Sequence, residues 1–191
     1  MDVPDVFKKR NLKNVNFAYE NLVGKNLSNS FMSGANLEGF DIHNADFSGT
    51  DLSQSNLHGT ILFYTKFRGA DLRNCNLSEA KLWDADLYGV DLGGADLRGV
   101  DLFNCDLKSS NLNNSDLSGA YLKNSDFTGA TMHETEFIQT KFDKMTFDTI
   151  TDLDAKTRLK DFFAKSKPIW YVWPKKLPNE NAFIDESGIF S

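Results

Sequence analysis

The side chains most able to do chemistry here are three histidines and two cysteines, and their placement argues against both metal binding and catalysis. His43, His58 and His133 each sit one position after a large apolar residue, respectively Ile42, Leu57 and Met132. In a chain that bends at every fifth residue, those positions point outward from three different faces and do not converge on a metal. Cys75 and Cys105 occupy slots that elsewhere hold Ala, Ser or Thr, on opposite faces and different coils. They read as small buried residues, not as a disulfide or a redox pair. Gly93-Gly94 invites a phosphate-loop reading, but no Gly-Lys-Ser/Thr follows. No serine sits in a nucleophile-elbow setting. The recurring Asp residues suggest calcium-binding nonapeptide coils, but a beat of five rejects that period. The expectation is a non-enzymatic protein with no cofactor and no metal.

Charge and hydropathy narrow the class further. Of 191 residues, 27 are Asp or Glu and 21 are Lys or Arg, a net charge of −6. Direct nucleic-acid binding depends on phosphate neutralisation by cations, so it is not expected. No apolar run approaches the ~18 residues of a membrane span. The opening MDVPDVFKKRNL has no apolar stretch after a basic start, unlike a secretory signal. With only two cysteines, a reduced, cytoplasmic protein is the expectation.

What positions these side chains is a repeat. From Phe7 to Phe147 every fifth residue is large and apolar, and those 29 centres comprise 18 Leu, 8 Phe, 2 Met and 1 Ile. Two residues before the centre, Ala, Ser, Thr or Cys fill 20 of 28 places; one residue before, Asn or Asp fill 19 of 28. Two residues after, Gly or Asn fill 18 of 28, taking 11 of the 13 glycines. On an α-helix a five-residue stripe drifts about 140° per repeat, and on a strand an odd period exposes every second centre. The pattern survives only if the chain turns at each repeat and every centre points at a common axis. Gly or Asn at a fixed slot supplies the positive φ of such corners. Asn or Asp before the centre can hydrogen-bond the nearby backbone and hold the bend.

The number of sides is also legible. Sorted by a period of twenty, Phe falls at positions 7, 47, 67, 127 and 147 of one column, with Phe17, Phe137 and Phe142 in the others. Four repeats per coil follow, hence a square solenoid of about seven coils, roughly 34 Å long.

These residues resemble the pentapeptide repeat family, whose consensus is A(D/N)LXX, as in ADFSG at 45–49 and ADLRG at 95–99. The resemblance covers about residues 7–150. It implies an all-β, right-handed quadrilateral β-helix, non-enzymatic and often dimeric. It also implies a link, in some Qnr-like members, to DNA gyrase through imitation of DNA. The unbroken phase leaves no projecting loops of the kind some gyrase-protecting members carry.

Both ends of such a solenoid need covering. Residues 1–6 form a short N-terminal cap. Thr151-Asp152-Leu153-Asp154 resembles a capping box, and Leu153, Leu159, Phe162 and Phe163 give the segment 151–167 an apolar side. A C-terminal capping α-helix is expected there, ended by Pro168. Residues 168–191 form an extended tail whose Trp170 and Trp173 are too apolar for plain disorder.

Binding must use the outward slots. On the face centred on Leu62, Leu82 and Leu102, the slot after the centre holds Phe63, Trp83 and Phe103, spaced by twenty and expected to stack. Ile61, Tyr64 and Tyr121 flank them where Asp, Asn or Gly is usual. Such a stripe marks an interface with a protein partner, a second copy through the C-terminal region, or the chain's own tail. The rival surface is acidic: Asp51, Asp71 and Asp91 form one column, and Asp86, Asp106 and Asp126 another. A DNA mimic for a type II topoisomerase would use them. Yet Asp is also the turn-forming residue of the repeat, and Lys66, Arg68, Arg73, Arg98 and Lys108 interrupt the acidic surface. Residues 10–150 carry 19 acids against 12 bases, whereas DNA of that length carries roughly 20 charges.

Overall fold

A computed structural model describes residues 9–12, 17 and 20–166. The segment 1–6, Phe7 and the tail 168–191, including Trp170 and Trp173, lie outside the described residues. The chain winds as a parallel β-solenoid in which each bridge joins residues twenty apart, from Asn11↔Phe31 to Tyr121↔Lys141. Four five-residue repeats therefore make one coil. Within the ladder, Leu52 N–H donates to Asp71 O at 2.8 Å and Asp71 N–H to Thr50 O at 3.0 Å.

The corners are four-residue turns, nearly all closed by a backbone bond back to the centre, as in Ala35 N–H to Met32 O at 2.9 Å. Its third residue lies at positive φ, +75° at Gly34 and +62° at Asn44, which is why this slot collects Gly and Asn. The Asn or Asp before the centre completes the corner. Asp46 Oδ1 accepts from Ser48 N–H at 2.9 Å, and Asp51 Oδ1 from Ser53 N–H at 3.0 Å.

The centres fill the axis, buried from Leu12 through Phe137. Phe47 and Phe67, one coil apart, stack with centroids at 5.2 Å. The small slot also points inward, and its hydroxyls and thiols donate either to a carbonyl of the preceding coil or to the centre of their own corner, as Thr65 Oγ1 does to Leu62 O. Thr50 Oγ1 donates to Leu27 O at 2.7 Å, and Cys75 Sγ to Leu52 O at 2.9 Å. A short side chain fits there, with any polar atom at a carbonyl, which explains the preference for Ala, Ser, Thr and Cys; Val90 and Val100 are buried in the same slot.

The C-terminal end departs from expectation. The solenoid does not run regularly to 150: α1, Lys144–Thr149, replaces the last repeat. Asp143 caps it, accepting from Thr146 N–H at 2.8 Å, and the slot before Phe147 that normally takes a small residue is Met145. Phe147 and Ile150 remain buried, so the apolar beat persists through a change of backbone. The second helix, α2, spans Leu153–Ser166, so its N-cap is Asp152 and not Thr151. Leu153 is 78% exposed; Ala155 and Leu159, one turn apart, are the residues that bury.

The residues between the helices close the final coil. Thr149 Oγ1 accepts from Phe127 N–H at 2.9 Å, Thr151 Oγ1 from Gly129 N–H at 2.9 Å, and Asp152 Oδ2 from Met132 N–H at 2.9 Å. Arg158 donates to Thr135 O at 2.9 Å and Met132 O at 2.6 Å. Side chains here substitute for the next coil's backbone.

Candidate interaction surface

Alternation along each side sends the residues before and after a centre outward together, so Ile61 and Phe63 flank the buried Leu62 on one face. One coil later Trp83 stands against Phe63, ring centroids 4.9 Å apart and planes 26° apart. At that separation two rings cannot lie side by side in one plane; one face of each turns toward the other. Trp83 is 43% exposed. Phe103 does not extend the stack as the spacing alone suggested. It pairs with Tyr121 on the next coil, centroids at 6.5 Å, so the column resolves into two aromatic pairs. Ile61, Phe63, Phe103 and Tyr121 are half-buried.

Tyr64 is the unusual member. It occupies the corner slot at φ +57° and is 59% exposed. A bulky residue in the left-handed region costs on the order of 1 kcal/mol, and with most of Tyr64 exposed little burial offsets this. Lys81 and Asp101 border the ridge, while Asp41 holds His43 at its lower end, 2.7 Å apart.

The acidic columns do form: Asp51↔Asp71↔Asp91 and Asp86↔Asp106↔Asp126 are successive bridges. Cations threaded between them cut their charge. Arg73 binds Asp71 at 2.6 Å and reaches Asp91 at 3.7 Å; Arg68 binds Asp86 at 3.1 Å; Lys108 reaches Asp126 at 3.1 Å and Asp106 at 3.5 Å. On a third face Arg98 ties Asp96 at 2.6 Å and approaches Asp116 at 3.9 Å. Hydrogen bonds from Arg73 and Arg98 hold Asp71 and Asp96 below the usual carboxylate range. Partial burial pushes Asp126 up, but bonds from Thr128 and the Lys108 ammonium outweigh it and leave it lowered. Exposed pairs of this kind add little stability; their consequence is a surface of alternating sign.

The remaining candidates stay apart. His58 bonds Ser78 at 2.9 Å, and His133 lies near Glu134 at 3.7 Å on another face. Among the described residues no group of three or more His, Cys, Asp or Glu could hold a metal. Cys75 and Cys105 are buried and unpaired with each other. Burial pushes the Cys75 thiol up to about 12 and Cys105 higher still. No described helix is long and apolar enough to cross a membrane. Two features escaped the reading of the sequence. Tyr88, 39% exposed, lies under the Arg68 guanidinium at 4.6 Å, and Phe31, 57% exposed, lies near the other end. The twenty-residue spacing of Arg68 and Tyr88 on one slot was the available signal for the first.

HetL, a pentapeptide repeat protein involved in heterocyst differentiation regulation from the cyanobacterium Nostoc, is 28% identical over 59% of this chain, with a TM-score of 0.47. The chain spans 61% of HetL's length in that match. Rfr23 from the cyanobacterium Cyanothece is 28% identical over 60% of this chain and 88% of its own, with a TM-score of 0.29. Full-length QnrB1, a plasmid-mediated fluoroquinolone resistance protein, is 12% identical over 74% of this chain and 92% of its own, with a TM-score of 0.33. A comparison with curated protein sequences returns no match. The family signature described as pentapeptide repeats matches in eight copies, at residues 11–49, 21–59, 41–78, 65–103 and 105–143. Those spans take in well over half of the sequence, and the chain belongs to the pentapeptide repeat family.

Proposed function

We propose that this chain is a non-enzymatic docking protein: a right-handed quadrilateral β-helix that offers one aromatic ridge to a protein partner. The observation that carries this reading is the outward Phe63–Trp83 stack, half-buried at Phe63 and exposed at Trp83, bordered by Tyr64 at positive φ. A single exposed aromatic residue is ordinary; an outward pair stacked on successive coils, with a third aromatic beside it in an unfavourable backbone slot, is not. Ring orientation selects the class of partner. A sugar or nucleobase platform presents single open ring faces, whereas here Phe63 and Trp83 each turn one face to the other. A stacked, partly exposed pair suits an apolar groove on a protein, with Lys81 and Asp101 supplying a polar rim.

A DNA-mimicking role toward a type II topoisomerase draws less support. Arg68, Arg73 and Lys108 offset half of the six carboxylates in the two columns, leaving no continuous phosphate-like array. Trp83→Asp tests the docking role. Loss of an interface aromatic costs about 2 kcal/mol or more, so affinity for the partner should fall at least about 30-fold. The side chain projects from the solenoid, so the fold should be retained; binding unchanged by the substitution would sink the proposal.

A further inference from the structure

Among the described residues, the final coil is closed on only part of its rim. N–H groups of Phe127, Gly129 and Met132 are taken by Thr149, Thr151 and Asp152. The next donors in the same series, the N–H groups of Glu134, Phe137 and Gln139, bond to no described residue. The matching positions one coil earlier show what belongs there: Asn114, Leu117 and Gly119 donate to His133 O, Glu136 O and Ile138 O, at 2.8, 2.9 and 2.7 Å. Beside this stretch lies a concavity lined by Thr135, Glu136, Phe137, Ile138 and Arg158, and Ile138 is 54% exposed.

We infer that this open rim is a strand-docking site whose occupant is the chain's own segment Ile169–Trp173. The rim offers donors only, because Arg158 already takes the carbonyl of Thr135. It therefore calls for a strand presenting two carbonyls two residues apart. An identical rim from a second copy would bring donors against donors, so twofold pairing at this edge fails. The segment Ile169-Trp170-Tyr171-Val172-Trp173 has strong strand propensity and is bracketed by Pro168 and Pro174. Five residues is the length of one solenoid side, and prolines cannot extend the ladder beyond it. The segment is within reach. Ser166 ends α2 eight residues beyond Arg158, about 12 Å along the helix. Residues 169–173 follow by another three to seven positions, up to about 24 Å of extended chain. Tethering also supplies an effective concentration on the order of millimolar.

Amide hydrogen exchange on the full-length protein tests this directly. The amides of Phe137 and Gln139, whose acceptors would lie two residues apart, should exchange at least about 50-fold slower than free peptide, independently of protein concentration. The full-length variant Trp170→Gly, Tyr171→Gly, Val172→Gly should lose at least about tenfold of that protection. Leu117 and Gly119 should stay protected in both proteins, reporting that the solenoid is intact. Free exchange in the wild-type protein, protection that grows with concentration, or protection indifferent to the triple substitution would each overturn the inference.

Discussion

Replacing Asp152 by Ala should loosen two elements at once. Its Oδ1 accepts from Ala155 N–H at 3.0 Å as the N-cap of α2, and its Oδ2 accepts from Met132 N–H at 2.9 Å on the last coil. Loss of an N-cap costs about 1 kcal/mol, and a hydrogen bond to a charged acceptor about 2 kcal/mol. Together these come to about 3 kcal/mol. In a chain of this size 1 kcal/mol moves Tm by about 2–4 °C, so thermal unfolding followed by circular dichroism should show a drop of about 6–12 °C at pH 7. Asp152→Asn keeps one acceptor and should recover about half. Partial burial pushes the Asp152 carboxyl up, but the backbone N–H groups of Ala155, Met132 and Asp154 and the charge of Arg158 outweigh this and leave it lowered. Its folded value therefore lies below the unfolded value of about 3.9. The stability it contributes is complete above the unfolded value and is lost as pH falls through the folded one. The gap between wild type and Asp152→Ala should shrink as pH is lowered from about 5 to about 2.5. A Tm within about 1 °C of wild type at pH 7, or a gap that does not narrow in acid, would refute this division of labour.

Two further outcomes follow from the coil itself. Gly94→Val places a β-branched residue at φ +69°, with its Cβ 2.6 Å from Asn74 Oδ1, whereas Gly59 at φ +62° has nothing within 4 Å. The first should cost on the order of 1–3 kcal/mol in urea unfolding and Gly59→Asn under about 1 kcal/mol; equal losses would contradict the corner account. Neither Cys75 nor Cys105 should react with an aromatic disulfide reagent at pH 8 in the folded protein, and both should react once it is unfolded. Rapid native labelling would show that the inward slot opens.

Much of this architecture is written in slot chemistry. Gly34 and Asn44 announce positive φ, Asp46 and Asp51 announce turns, and the spacing of Phe47 and Phe67 announces the twenty-residue coil. The end of the solenoid was less legible because Phe147 keeps the five-residue beat after the backbone has become helical. Periodicity reports burial, and both backbones bury Phe147. Thr151 and Asp152 both look like caps; their division between Gly129 on one side and Met132 with Ala155 on the other depends on where the chain crosses the coil end. On the candidate face, spacing brought Phe63 and Trp83 together but could not foresee that Phe103 turns to Tyr121, a matter of rotamers between adjacent slots. The ion pairs were implicit in Asp71-Leu72-Arg73 and Asp96-Leu97-Arg98, because residues on either side of a centre share a face.

The docking role of the ridge is tested most directly by photo-crosslinking from position 63 in the protein's own cells, with and without Trp83→Asp, using position 88 on the neighbouring face as the comparison. A discrete adduct with one other protein, formed from position 63, absent from position 88 and lost with Trp83→Asp, is the expected result. No adduct, an adduct only with a second copy of the chain, or one that survives Trp83→Asp would contradict it.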